Sequence, residues 1–415
     1  YKLVIKVVFK MPNNSKLPIF VIFTTVVLDS MGIGIIIPVM PALFADVTGT
    51  EKISDIAIWG GLLASTFALM QFIFGPILGA LSDRYGRKPI LLLALFVMAA
   101  YYLLMGFAQT LWLLFLGRLI GGITAATHAT ANAYMADISS PEEKAARFGM
   151  LGAGFGLGFV LGPLIGGLLG EWGPRAPFFA AAMLAAANGV LCYFVLKESL
   201  KTKNRREFMW YRANPIGAIL DLRKFEGIYS LLLVFLLFTI GTSIYAAIWP
   251  FFTVERFSWS PGMIGISLTI YGVCFAIVQG VLVRPAIKIW GEKKTIIIGF
   301  CFEFSAMVTF AFLTDGKILI ILIPLASLGV LAQPAIQAIL SKSVGDDRQG
   351  AIQGVASSLN AIAMVITPIT MTWILAVFSD KTAKYYFPGM PFLFSALMVL
   401  LCLFILSRRK PASTL

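Results

Sequence analysis

Apolar runs long enough to cross about 30 Å of hydrocarbon as helices recur twelve times along this chain. They cover approximately residues 17–44, 56–81, 90–108, 111–136, 148–170, 177–197, 228–254, 261–286, 295–314, 317–341, 350–379 and 386–407. Of the 415 residues, 59% are hydrophobic and 13% charged, whereas an ordinary globular domain is nearer 45–50% apolar and about 25% charged. Domains of this total length could not hide so much apolar surface from water. The composition therefore excludes a soluble protein, a disordered chain, a disulfide-rich secreted fold and a collagen-like fold. An all-α integral membrane protein of twelve transmembrane helices is expected.

Orientation follows from the basic residues between the runs. With the N-terminus inside, the inner segments hold 26 Lys and Arg and the outer loops hold six: Lys52, Arg175, Arg256, Lys317, Lys381 and Lys384. That asymmetry predicts cytoplasmic N- and C-termini. It also absorbs the net charge of +13, so nucleic acid is not an expected partner. Span 1 is too long for the apolar core of a cleavable signal, and no small-residue cleavage site follows it. The four cysteines, Cys192, Cys274, Cys301 and Cys402, each stand alone in an apolar run and are expected to pack as small buried hydrophobes.

One long polar connection, 198–227, follows span 6. It carries Lys201, Lys203, Arg205, Arg206, Arg212, Arg223 and Lys224, a face that attracts anionic lipid. It divides the chain into an N-terminal extension (1–16), a six-helix half (17–197), the linker, a second half (228–407) and a tail (408–415). The halves repeat weakly. Tyr85-Gly86-Arg87-Lys88 before span 3 resembles Trp290-Gly291-Glu292-Lys293 before span 9, and Pro38 is mirrored by Pro250. Two six-span halves with pseudo-two-fold symmetry about the membrane normal suggest a transporter with its site between them.

Setting aside Lys197, Arg284 and Lys317 at span ends, which count with the connections, three Asp, Glu, Lys or Arg residues remain inside the spans: Asp29, Arg118 and Glu303. The single histidine, His128, also lies within one. A charge at a helix centre costs roughly 2.5–3.5 kcal/mol on insertion scales, so such groups are functional candidates. At 1.5 Å per residue, Asp29 lies about 18 Å from the inner end of span 1 and Arg118 about 10 Å below the outer face. The two can meet near the midplane. Burial disfavours a carboxylate anion and a neighbouring Arg favours it, so a movement that changes their distance changes proton affinity. Asp29, Arg118 and Glu303 are the proton-coupling candidates. His128 shares a helix face with Asn132. Polar and aromatic candidates for a substrate cavity are Asp29, Phe67, Gln71, Tyr101, His128, Asn132, Tyr245, Trp249, Tyr271, Gln279, Glu303, Gln333 and Asn360.

Span 5 carries Gly158, Gly162 and Gly166 on one face, with Pro163 and Gly167 beside them, a spacing that lets helix backbones approach closely. The segment Gly79-Ala-Leu-Ser-Asp83-Arg84-Tyr-Gly86-Arg87-Lys88-Pro89 places a regular set of charges in a short inner loop, which reads as a salt-bridged latch.

These motifs resemble those of the major facilitator superfamily. The 79–89 segment is similar to its loop 2–3 signature, and Gly117-Arg118-Leu-Ile-Gly121-Gly122 to its span 4 arginine motif. Gly158-Phe-Val-Leu-Gly162-Pro163-Leu-Ile-Gly166-Gly167 resembles the span 5 motif of drug/proton antiporters. Leu28-Asp29-Ser-Met-Gly32-Ile-Gly34, the run from Gly122 to Thr127, Phe155-Gly-Leu-Gly158 and Gln349-Gly350-Ala-Ile-Gln353-Gly354 resemble segments of the tetracycline/proton antiporter group. The resemblance extends from about residue 20 to 370. It implies a coupling carboxylate at Asp29 modulated by Arg118, an inner gate of Asp83, Arg84 and Arg87, and a substrate-pathway glutamine at Gln279. Asp137 and Arg147 are expected in the same gate. Tyr101 and Phe275 stand where that group has an aspartate and a histidine, Glu303 replaces its span 9 aspartate, and His128 replaces a glycine. Two polar side chains are thereby lost from the path of a magnesium-chelated substrate.

The expectation is a proton-coupled efflux carrier (antiport) for a small amphipathic compound such as a drug or tetracycline-like molecule. It would work by alternating access as a monomer in the bacterial cytoplasmic (inner) membrane. The proton gradient would supply the energy, with no cofactor or metal. The alternative is a transporter of a metabolite or siderophore, with import as an open direction. Arg118 alone argues against an anionic substrate, which usually wants several buried cations. An enzyme is not expected: the chain has no HExxH, no P-loop and no second histidine, and its loops are too short for a catalytic domain.

Overall fold

The computed structural model describes residues 16–210, 228–345 and 348–408. The N-terminal extension up to residue 15, the linker residues Arg212, Arg223 and Lys224, and the tail from residue 409 lie outside the described residues. Among the described residues every regular element is helical. Eleven stretches are long and apolar enough to cross a membrane. Ten correspond to single expected spans. The other, Pro261–Phe312, has 52 residues, about 78 Å at 1.5 Å per residue. Gly291 interrupts it with φ 74° and ψ 166°. Divided there, it supplies the eighth and ninth expected spans. Gly86 holds the equivalent place between spans 2 and 3, with φ 112° and ψ 162°. The two repeated tetrapeptides thus share a positive-φ backbone that a side chain would strain.

Several spans are not continuous helices. Span 1 passes through a 3-10 turn at Ile37–Val39, where Pro38 removes an amide donor. Span 4 breaks between Leu111–Ile123 and Thr127–Asp137. Span 8 contains a π segment, Val278–Leu282. Span 10 has a 3-10 stretch, Ser327–Leu331, between Gly316–Ala326 and Ala332–Lys342.

The chain forms two compact units. One holds described residues 16–39 and 70–210; the other holds 40–69 and the described residues from 228 onward. The boundaries fall inside spans 1 and 2. Within the first unit, glycines bring span 5 onto the backbone of span 1. A Cβ on Gly158 would stand 2.8 Å from the Ser30 Cβ, one on Gly162 2.6 Å from the Met31 carbonyl oxygen, and one on Gly166 2.7 Å from the Ile35 Cα. Pro163 meets span 1 at Gly34, where a Cβ would lie 2.7 Å from the proline Cδ. Thr25 adds a buried polar contact to span 6, with its hydroxyl 3.1 Å from the Asn188 Oδ1.

Within the second unit, residues 40–69 pack on spans 7 and 11. Gly60 leaves room for the Phe251 ring, and Gly61 for Pro368 and Thr372. The Ser65 hydroxyl donates to the Val365 carbonyl at 2.6 Å. Cys192 and Cys402 are buried as expected, but Cys274 is half-buried and Cys301 exposed. Cys301 lies two positions from the buried Glu303, so the helical turn sends it to the opposite side of span 9.

Candidate functional site

Span 1 gives Ser30, Met31, Gly34 and Ile35 to the contact with span 5. Asp29 lies off that stripe, buried with 9% of its surface exposed. The Thr127 hydroxyl hydrogen-bonds to its carboxylate. Thr127 opens the second half of span 4, Thr127–Asp137. Just before it, the Ala126 amide donates to the Thr124 carbonyl at 2.7 Å, a tight turn in place of a helical bond. The first amides of a helix have no partner within it and carry the positive end of its dipole. Asp29 therefore faces the N-terminal end of a half-helix inside a membrane-length span, an arrangement that discontinuous helices use to hold charge in lipid.

Two tyrosines complete this cluster. The Tyr101 ring covers Gly121, where a Cβ would stand 3.1 Å from it. Tyr101 and Tyr102 have ring centroids 4.3 Å apart. Gly32 of span 1 makes space for the Tyr102 hydroxyl, 2.9 Å from where its Cβ would be. Both tyrosines lie within electrostatic reach of Asp29 and of Arg118. Depth along the helices brings Asp29 and Arg118 towards one another; the structure makes two hydroxyls their shared neighbours. Neither Thr127 nor Tyr102 stands out in the sequence as a site residue, because an isolated hydroxyl in a helix carries no charge signal. His128 is exposed and meets Phe155 edge to face at 5.4 Å. Asn132 and Phe67 are half-buried, and Gln71 is exposed.

Glu303 anchors a corresponding cluster in the second unit and is 3% exposed. Its carboxyl lies over Gly329 in the 3-10 stretch of span 10, where a Cβ would meet it. The Tyr245 hydroxyl turns towards it, and Tyr271 lies within its electrostatic reach. Tyr245 packs against Tyr271 and Trp249, each at 6.0 Å between centroids. The Trp249 Nε1 donates to the Ser267 hydroxyl at 2.9 Å. Gln279 is half-buried in the π segment, where an extra residue per turn redirects neighbouring side chains. Gln333 is half-buried and Asn360 exposed. Among the described residues, no group of three or more His, Cys, Asp or Glu is placed to hold a metal ion.

A third cluster joins the loop between spans 2 and 3 to the end of span 4. Arg87 pairs with Asp83 at 2.6 Å and with Asp137 at 3.2 Å, and donates to the Ser82 hydroxyl at 3.2 Å. Arg84 instead lies over the Tyr85 ring at 5.2 Å, and Arg147 pairs with Glu143 of its own helical turn at 3.6 Å. Of the expected gate residues, the structure gathers Asp83, Arg87 and Asp137. Glu198, just past span 6, accepts from the amides of Arg87 at 2.8 Å and Lys88 at 3.2 Å. It caps the first turn of span 3 from more than 100 residues away, a contact invisible in local sequence. Gly86 leaves no space for a Cβ beside that carboxylate. Replacing Glu198 with Ala is expected to cost about 1–2 kcal/mol of local stability, as lost caps do. Faster hydrogen exchange confined to the amides of Arg87, Lys88 and Ile90 would report it; unchanged protection would contradict the cap.

Membrane-length helices in two compact units, each with a buried carboxylate among tyrosines, define a multi-pass helical membrane protein. The sequence matches the Major Facilitator Superfamily over residues 22–252 and 231–415. The chain belongs to that family, and it is a transporter, not an enzyme. It is 38% identical over 393 residues to the tetracycline resistance protein, class C, of Escherichia coli, covering 95% of this chain and 96% of that protein. The class B protein of Escherichia coli is 37% identical, covering 86% and 87%. Among solved structures, the human organic anion transporter MFSD10 (TETRAN) shares the fold at a TM-score of 0.67 and 23% identity, covering 95% of this chain and 100% of that one. The resemblance carried by the motifs of spans 1, 4 and 5 is thus shown across the chain.

Proposed function

We propose that this protein exports a small amphipathic compound, such as a drug or tetracycline-like molecule, in exchange for protons. Its likeness over nearly its full length to tetracycline resistance proteins supports drug efflux. The observation that carries proton coupling is the placement of Asp29, a buried carboxylate held by the Thr127 hydroxyl, with Tyr101 and Tyr102 near it and near Arg118. A carboxylate so placed changes its proton affinity when Arg118, the half-helix of span 4 or water moves relative to it. Alternating access supplies that movement, with halves 17–197 and 228–407 rocking about substrate bound between them. Asp29, Gln71, Tyr101, His128 and Asn132 contribute from one half. Tyr245, Trp249, Tyr271, Gln279, Glu303, Gln333 and Asn360 contribute from the other, with Glu303 as a second proton site.

In this reading Asp83, Arg84, Arg87, Asp137 and Arg147 form the inner gate, and the glycine face of span 5 lets the helices slide closely. The protein is a monomer in the bacterial inner membrane, with both termini in the cytoplasm. The proton gradient is its only energy source, and no cofactor or resident metal takes part. The replacement of two polar side chains by Tyr101 and Phe275 favours substrates that bind without a chelated ion. Susceptibility of cells with and without the protein tests this: raised resistance to tetracycline or another amphipathic drug is expected. Equal susceptibility across a drug panel, with growth gained on a metabolite or siderophore, would overturn it.

A further inference from the structure

The chain beyond span 6 stays close to the gate cluster. Leu196 and Leu200 are buried, and Ser199 donates to Asp137 at 3.0 Å. Glu198 caps span 3 and also accepts the Leu200 amide at 2.9 Å. Further on, the Arg206 amide donates to the Asp83 carbonyl at 3.1 Å. Between and just beyond these anchors, Lys201, Lys203, Arg205 and Arg206 are exposed, with Glu207 the single acid in residues 201–210. Met209 and Trp210 follow, 37% and 72% exposed, and Trp210 meets Phe208 edge to face at 5.0 Å.

We propose that residues 201–210 form a docking strip for anionic phospholipid headgroups, with the cations on phosphates and Trp210 at the interface. Charge and position both select this occupant. Four cations in six residues suit an anionic surface, and an amphipathic indole suits headgroup depth. Helix Ala176–Val195, which has membrane-spanning length and hydropathy, ends six residues before Lys201. Even a fully extended chain would carry that lysine at most about 20 Å from the helix end. An acidic protein or a nucleic acid would have to compete with the bilayer at its own surface. The anchors at Glu198 and Arg206 also join the strip to Asp83 and Arg87, so headgroup occupancy bears on the latch.

The test uses the purified full-length chain in phosphatidylcholine vesicles with and without phosphatidylglycerol. Quenching of Trp210 by brominated lipid is read as the difference between wild type and Trp210→Phe. Brominated phosphatidylglycerol is expected to quench more than brominated phosphatidylcholine, and high salt should remove the excess. In a Lys201→Gln/Lys203→Gln/Arg205→Gln variant, preference for the anionic lipid should fall by roughly two orders of magnitude. The salt titration on wild type stands even if that variant folds poorly. Equal quenching by the two lipids, or an excess insensitive to salt, would overturn the proposal. So would displacement of the quenching lipid by added RNA or acidic peptide at matched charge. None of these readings needs a transported substrate, so failure here is distinct from failure of the transport reading.

Discussion

Replacing Asp29 with Asn is expected to collapse proton-driven accumulation of substrate while leaving folded protein intact. One proton moving down ~100 mV supplies about 2.3 kcal/mol, enough to sustain a concentration ratio of roughly 50. Without a titrating group at this position the ratio should fall to about one. Folding should survive, because Asn matches the volume and can still accept from the Thr127 hydroxyl. It also removes the cost of burying a charge. Asp29→Glu should retain part of the coupling. Flux assays in reconstituted vesicles and the monodispersity of the purified variant give the two readings. Accumulation at the wild-type ratio in Asp29→Asn would place the coupling group elsewhere, with Glu303 the next residue to replace.

The glycine face of span 5 carries the second large effect. A Cβ at Gly162 would press on the Met31 carbonyl oxygen at 2.6 Å and on the Gly34 Cα at 2.9 Å. Backbone atoms cannot yield as a flexible side chain can. Gly162→Leu is expected to cost about 3 kcal/mol or more, the upper range for overpacking, and to abolish folded yield. Gly162→Ala should lower thermal stability in detergent. Gly156, on the same helix, has nothing within 4 Å of its would-be Cβ. Gly156→Ala should be neutral or slightly stabilising, by up to about 1 kcal/mol from helix propensity. Equal effects at both positions would contradict close backbone approach as the reason for Gly162.

Much of this molecule is written in its local sequence, because lipid forces each long apolar run to satisfy its own backbone as a helix. The spans and the near-solitude of Asp29, Arg118 and Glu303 follow from that alone. Glycine signals the junctions at Gly86 and Gly291 because positive φ has a residue preference. The breaks inside spans 4, 8 and 10 are less legible. Thr124-Ala125-Ala126-Thr127 contains neither glycine nor proline, and the turn there coincides with tertiary partners, Thr127 with Asp29 and Gly121 under Tyr101. Glu198 belongs to the same class, since its partners lie at the start of span 3. The association of residues 40–69 with the C-terminal spans rests on Gly60, Gly61 and Ser65, whose small size shows in the sequence but whose partners do not.

Proton coupling is the centre of the account, and its most direct measurement is proton movement itself. Purified protein in vesicles carrying a trapped pH indicator should, when an outward substrate gradient is imposed, move protons in the direction opposite to substrate. The Asp29→Asn variant in the same vesicles should move none. Substrate flux at the wild-type rate with no proton movement, or proton movement undiminished in Asp29→Asn, would contradict it.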